Sequence, residues 1–108
     1  MLESWSGYEN ADNVGSVFGH QLALLQANSP SLTLRAAAAK LRGAHTFFWF
    51  YSGTDDHYRT QNAAFAIALR RAGLTHRFFM VRGGHNWALW RDNAARALLA
   101  ASKRLRVA

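Results

Sequence analysis

The strongest hydrophobic run in the chain, Thr46-Phe47-Phe48-Trp49-Phe50-Tyr51, is apolar on both alternating faces. Such a run predicts a strand covered on both sides, as in a parallel sheet. Ser52-Gly53-Thr54 ends it. The period then changes. Over 58–72, Phe65, Ala68, Leu69 and Ala72 fall on one helical face, and Gly73 is a natural residue just past a helix end. Phe78, Phe79, Met80 and Val81 mark a second strand over 77–81, turned by Gly83-Gly84. Trp87, Trp90, Ala94, Leu98, Ala101 and Leu105 predict the buried stripe of a long final helix, with Asn86 as its N-cap.

The first half of the chain is less sharply patterned. Leu2 to Trp5 reads as the tail of a strand ended by Ser6-Gly7. Over 14–27, Val17, Phe18, Leu22, Leu25 and Gln26 fall near a helical period, which Asn28-Ser29-Pro30 terminates. Pro30 suits the first turn of a further helix with Ser29 as N-cap, running to about Leu41 and stopped by Gly43. Strand, helix, strand and helix with short links form a βαβ unit, so the fold class is α/β with parallel strands and crossover helices. Chemistry in such sheets gathers at the carboxyl ends of the strands.

A length of 108 residues allows one domain or part of one, and 50% hydrophobic residues suffice for a packed core. No window approaches the ~20 apolar residues of a membrane span. The absence of cysteine excludes disulfides, thiolate metal sites and a cysteine nucleophile, and leaves the compartment open. The net charge of +7 invites a nucleic-acid or anionic-surface reading. Arginine supplies nearly all of it, but the arginines, among them Arg35, Arg59, Arg77, Arg91 and Arg106, are scattered along the chain from residue 35 onward. With no basic run interleaved with aromatics, the arginines read as a solvated surface and no nucleic-acid partner is expected.

Two loops carry candidate chemistry, both at predicted strand ends. His85 follows a glycine pair that removes side-chain bulk and permits positive φ, and it precedes a helix whose Trp87 and Trp90 are expected to pack inward. This context favours a general base over a turn decoration. The second loop is Gly53-Thr54-Asp55-Asp56. A carboxylate there can accept a hydrogen bond from a histidine one strand over, fixing its tautomer and stabilising the imidazolium. Either aspartate could do so, and Asp55 also fits an N-cap of the following helix. His57 reads as a rim residue, and His20, His45 and His76 as surface or loop positions. No histidine pair has ligand spacing on a shared element, so neither metal nor cofactor is expected. Trp5 and Tyr8 fit a pocket lining or, more ordinarily, the core.

The aromatic strand Phe48-Trp49-Phe50-Tyr51, the Gly53-Thr54-Asp55-Asp56 turn, the crossover ending Ala72-Gly73-Leu74-Thr75-His76, then Phe78-Phe79-Met80-Val81, Gly83-Gly84-His85-Asn86-Trp87 and Trp90-Arg91 form one ordered set. It resembles the C-terminal part of the α/β-hydrolase superfamily, in its esterase D, feruloyl esterase and mycolyltransferase-like branch. Glu3-Ser4-Trp5-Ser6-Gly7-Tyr8 resembles the strand and loop after that branch's nucleophile helix, so the likeness covers nearly the whole chain. The Gly-Gly-His-x-Trp-x-x-Trp portion is fairly specific, whereas the Gly-x-x-Asp turn is weak alone.

By position, the resemblance implies that Asp56 is the triad acid and His85 the general base, in the superfamily's order of nucleophile, acid and histidine. It also implies an ester or acyl substrate. The departure is the nucleophile. The chain has no Gly-x-Ser-x-Gly elbow, because Ser6 in Trp5-Ser6-Gly7 lacks the preceding glycine, and the oxyanion-hole loop is missing too. Histidine and aspartate without an activated serine form no acyl-enzyme. The expectation is a single partial domain over 1–108, the incomplete C-terminal portion of an α/β-hydrolase sheet, inactive alone. The alternative is a non-catalytic interaction module. In either case self-association or a partner chain should cover the exposed sheet edge.

Overall fold

The computed structural model describes residues 18–106. In chain order these form α1 (Leu22–Ala27), α2 (Pro30–Gly43), β1 (Phe48–Gly53), α3 (Arg59–Arg71), β2 (His76–Val81) and α4 (Trp87–Leu105). The expected Leu2–Trp5 strand tail, the 14–17 part of the first helical stretch, Trp5 and Tyr8 lie outside the described residues. The architecture is mixed helix and strand, with β1 and β2 paired in parallel from Phe48↔His76 to Gly53↔Val81. Both strands therefore deliver their carboxyl ends, and the loops that follow, to the same side.

Strand alternation divides the sheet's side chains between two faces. Phe48, Phe50 and Phe78 lie on one face, where the rings of Phe48 and Phe50 meet Phe65 of α3 at 6.2 and 5.8 Å between centroids. Leu34 and Ala38 of α2, Phe65 and Leu69 of α3, and Leu74 form the buried core there. The Arg42 guanidinium donates to the Ala72 carbonyl and ties the carboxyl ends of α2 and α3 together. Gly73, at φ +66°, occupies the left-handed position past α3, as its place in the pattern predicts.

On the opposite face stand Trp49, Tyr51 and Phe79, with ring centroids 5.2–5.7 Å apart. Here α4 contributes guanidinium groups, Arg96 over Phe79 at 5.8 Å and Arg104 over Phe47 at 4.1 Å. The strand is thus flanked on both faces, though Phe48 to Tyr51 are half-buried rather than enclosed.

Several local expectations change. β1 begins two residues later than the hydrophobic run and continues through Ser52 and Gly53, because the ladder to Met80 and Val81 holds them extended. Ser29 occupies the N-cap position of α2, but its hydroxyl donates back to the Leu25 carbonyl at 2.8 Å. Gly43 is the last residue of α2, and the turn falls at Ala44 and His45, where His45 takes φ +52°. His76 opens β2 instead of lying in a loop.

The largest correction concerns α4. Apart from Trp90, its predicted inward stripe faces outward: Trp87 is 79% exposed, Leu98 66% and Leu105 78%. Leu89 and Asn93 are the buried residues of this helix, with Trp90 half-buried beside them. The helix has a second apolar arc, and packing on the sheet selected that one.

Candidate functional site

The two candidate loops meet because the strands that precede them are held backbone to backbone past their ends. The Thr54 N–H donates to the Val81 carbonyl at 2.8 Å, and the Asp55 N–H donates to the Gly83 carbonyl at 2.9 Å. Gly53 makes this approach possible: a Cβ there would collide with the Gly83 carbonyl and sit 2.8 Å from Leu89 Cδ1. Of the glycine pair before the histidine, Gly83 has φ +132°, a region that side chains disfavour. Leu89, 6% exposed, lies beneath both Gly53 and Gly83 and fills the angle between the loops.

The helices then orient the side chains. Asn86 caps α4, its Oδ1 accepting from the Leu89 N–H at 3.1 Å, as its position before the helix predicts. On the other side, Asp56 lies just ahead of the first turn of α3. Its Oδ1 accepts from the Tyr58 N–H at 2.8 Å, and its carbonyl accepts from the Arg59 N–H at 3.1 Å. Tyr58 is the N-cap residue of α3 and makes no side-chain cap bond, so Asp55 does not serve as the cap that its sequence position allowed. Asp55 is exposed, whereas Asp56 is buried.

Asp56 Oδ2 lies 3.0 Å from His85 Nδ1. The Asp56 side chain is 6% exposed and that of His85 31%, so the acid is sequestered while the imidazole still reaches the surface. A carboxylate accepts hydrogen bonds, so Nδ1 is the ring nitrogen placed to donate to Asp56. A buried carboxylate held against a part-exposed imidazole is an arrangement that can serve as two of the three members of an acid–base relay for a hydroxyl nucleophile.

Rings surround the imidazole. Trp90 lies perpendicular to it with centroids 5.0 Å apart, and Tyr58 stands at 5.3 Å and 70°. His57 is exposed at the rim, 5.6 Å from His85 and 3.9 Å from Tyr58. Trp87 touches Trp90 at 5.2 Å but faces solvent, contrary to its expected inward packing.

Sequence reasoning did not mark Tyr58, Gly53 as a close-contact glycine, or the Asn62–Ser52 hydrogen bond of 3.3 Å buried under the acid loop. A polar residue on the buried face of α3, level with a serine at the strand end, was the available signal for that bond. His20 and His45 are exposed and lie in turns. Among the described residues, no group of three or more histidine, cysteine or acidic side chains could hold a metal ion. No helix among them is long and apolar enough to cross a membrane. A shallow groove of about 490 Å³ between α3 and β2, lined in part by Ile67, Arg70 and Phe78, lies at the opposite end of β2 from His85. No protein family, curated protein or solved structure matches the chain.

Proposed function

We propose that this chain supplies the acid and the general base of an α/β-hydrolase-type serine esterase or acyltransferase, as the C-terminal portion of that sheet. A nucleophile-bearing segment outside these residues would complete it. The observation that carries this reading is the 3.0 Å bond between buried Asp56 and part-exposed His85, at the carboxyl ends of neighbouring parallel strands. The order acid then histidine, and the resemblance of the Gly-Gly-His-x-Trp-x-x-Trp segment, support it.

In the completed site, His85 Nε2 takes the proton of a serine hydroxyl as its oxygen attacks the ester carbonyl carbon. Asp56 holds the imidazole in the Nδ1–H form and stabilises the imidazolium that results. The same proton passes to the departing alcohol as the carbon–oxygen bond breaks. A water or a second alcohol, deprotonated by His85 in turn, attacks the acyl carbon, and His85 returns that proton to the serine oxygen as its bond to the acyl group breaks. Hydrolysis and acyl transfer differ only in that second acceptor.

The test is hydrolysis of short p-nitrophenyl esters. The chain alone is expected to show no turnover above a His85→Ala control. The same chain joined to its upstream coding sequence is expected to contain a Gly-x-Ser-x-Gly frame and to hydrolyse the ester in a His85-dependent way. An upstream sequence without that frame sinks the proposal, and His85-dependent turnover by the chain alone sinks its incompleteness.

A second reading, a non-catalytic interaction module, draws on the apolar outer face of α4, where Leu98, Leu99 and Leu105 are 61–78% exposed. Sedimentation equilibrium separates the two. Stable self-association of the chain, with no esterase activity once it is joined to its upstream sequence, favours the module.

A further inference from the structure

The structure assigns a specific task to Trp90, which we propose is the positioning residue that holds the His85 imidazole in the plane where Nδ1 meets Asp56; this rests on the acid–base reading of that pair. Among the described residues, the His85 ring makes one hydrogen bond, to Asp56 Oδ2. One such bond sets a distance but leaves the ring free to rotate about χ2, a broad torsion with no strong intrinsic preference. A partial turn about χ2 tilts the ring plane, swings Nδ1 off the Asp56 carboxylate and breaks the bond to the acid. Something else must select the productive rotation.

The loop itself supplies no wall, since the two residues before His85 are Gly83 and Gly84. The walls come from outside it. Tyr58 stands on the acid side, and Trp90 on the helix side at 5.0 Å and 90°. Trp90 is anchored for this purpose. It belongs to the first turn of α4, its N–H donating to the Asn86 carbonyl at 3.3 Å, and it is half-buried beside Leu89, which wedges the two loops together. A perpendicular ring contact is a favoured aromatic geometry, and it is lost when either ring turns. Trp90 thus couples the rotation of the imidazole to the seating of the helix.

The experiment is nitrogen-15 and proton NMR of the His85 imidazole, with His85 assigned by comparison with His85→Ala. Wild-type protein is expected to show a downfield, slowly exchanging Nδ1–H bonded to a carboxylate, which disappears in Asp56→Asn. In Trp90→Ala that proton is expected to exchange with solvent about three- to ten-fold faster, the bias that one edge-to-face ring contact exerts. Trp90→Phe, which keeps a ring, should recover most of the wild-type behaviour. Trp87→Ala, which removes a neighbour of Trp90 that has no contact with His85, should change nothing. Trp90→Leu takes the place of Trp90→Ala if the alanine variant loses its dispersed amide spectrum. An unchanged Nδ1–H in a folded Trp90→Ala or Trp90→Leu variant overturns the assignment, as does equal loss in Trp90→Phe. A wild-type spectrum with no such proton overturns the acid–base pair itself, so the two failures are distinct.

Discussion

The two faces of the β1–β2 sheet are finished to different degrees. On the α3 face, Leu69 is 0% exposed, Phe65 2% and Leu74 4%, and α2 adds Leu34 and Ala38 to the same cluster. Among the described residues, the one buried apolar side chain on the α4 face is Leu89, at the loop end, and further along the helix guanidinium groups lie over half-buried rings. The outer surface of α4 carries Trp87, Leu98 and Leu105 toward solvent. The α3 face is closed by the helix that connects the two strands together with α2, so its core is shared by two helices. The α4 face is covered by a single helix that presents apolar surface on both sides. The Asp56–His85 pair joins the two, with the acid fixed at the start of α3 and the base at the start of α4.

Breaking that junction should have the largest effect. In the joined enzyme that the proposed function requires, Asp56→Asn places an amide against His85 and disfavours the Nδ1–H form. The expected loss in kcat is about ten-thousand-fold, with the fold retained. Measured kcat within tenfold of the parent would remove Asp56 from its role.

The contrast in packing predicts the next effects. Leu69→Ala empties a site with no solvent access and should lower unfolding free energy by about 2–5 kcal/mol in urea titrations. Gly53→Ala forces a Cβ onto the Gly83 carbonyl and should cost about 1–3 kcal/mol. The same change should separate the acid and histidine loops, visible as loss of the His85 Nδ1–H resonance. Asn86→Ala removes the α4 cap, and about 1 kcal/mol is expected from the same titration.

The smallest effect tests the outer surface. Leu98→Ala and Leu105→Ala should each change stability by no more than about 0.5 kcal/mol in the chain alone, because neither fills a core. If either cost as much as Leu69→Ala, α4 would be closed on its outer side and the contrast between the faces would vanish.

Much of this arrangement is legible along the chain. The aromatic run before Ser52 and the four residues ending at Val81 identify the strands, since few other local structures bury consecutive apolar residues in so short a span. Phe65 and Leu69, four apart, identify the inward face of α3 because they are its two largest apolar side chains on one arc, whereas the arc of Ala63, Ala66 and Ile67 is mostly alanine. Asn86 reads correctly as a cap because its partner is local, three residues on. His85 and the pair Asp55 and Asp56 stand out for their places at strand ends, but the choice between the aspartates did not follow from the residues alone. A one-residue step at the end of a strand reverses which carboxylate is buried, and only the ladder between β1 and β2 sets that phase.

The inversion of α4 has the same origin. Its wheel holds one apolar arc through Trp87, Ala94, Leu98 and Leu105 and another through Leu89, Ala97 and Ala100. Periodicity reports that a helix is apolar on some side, not which side meets a sheet. Gly83 constrains the roll of α4, because its left-handed backbone brings Leu89 under Gly53. The sequence by itself therefore determined the strands, the inward face of α3, the cap of α4 and the two chemical loops, all of which depend on neighbours a few residues apart. The tertiary structure decided which aspartate meets His85, why Gly53 must be glycine, and which face of α4 is buried. These depend on the register of β1 and β2 and on the contact between Gly53 and Gly83, thirty residues apart in a chain whose local pattern records neither.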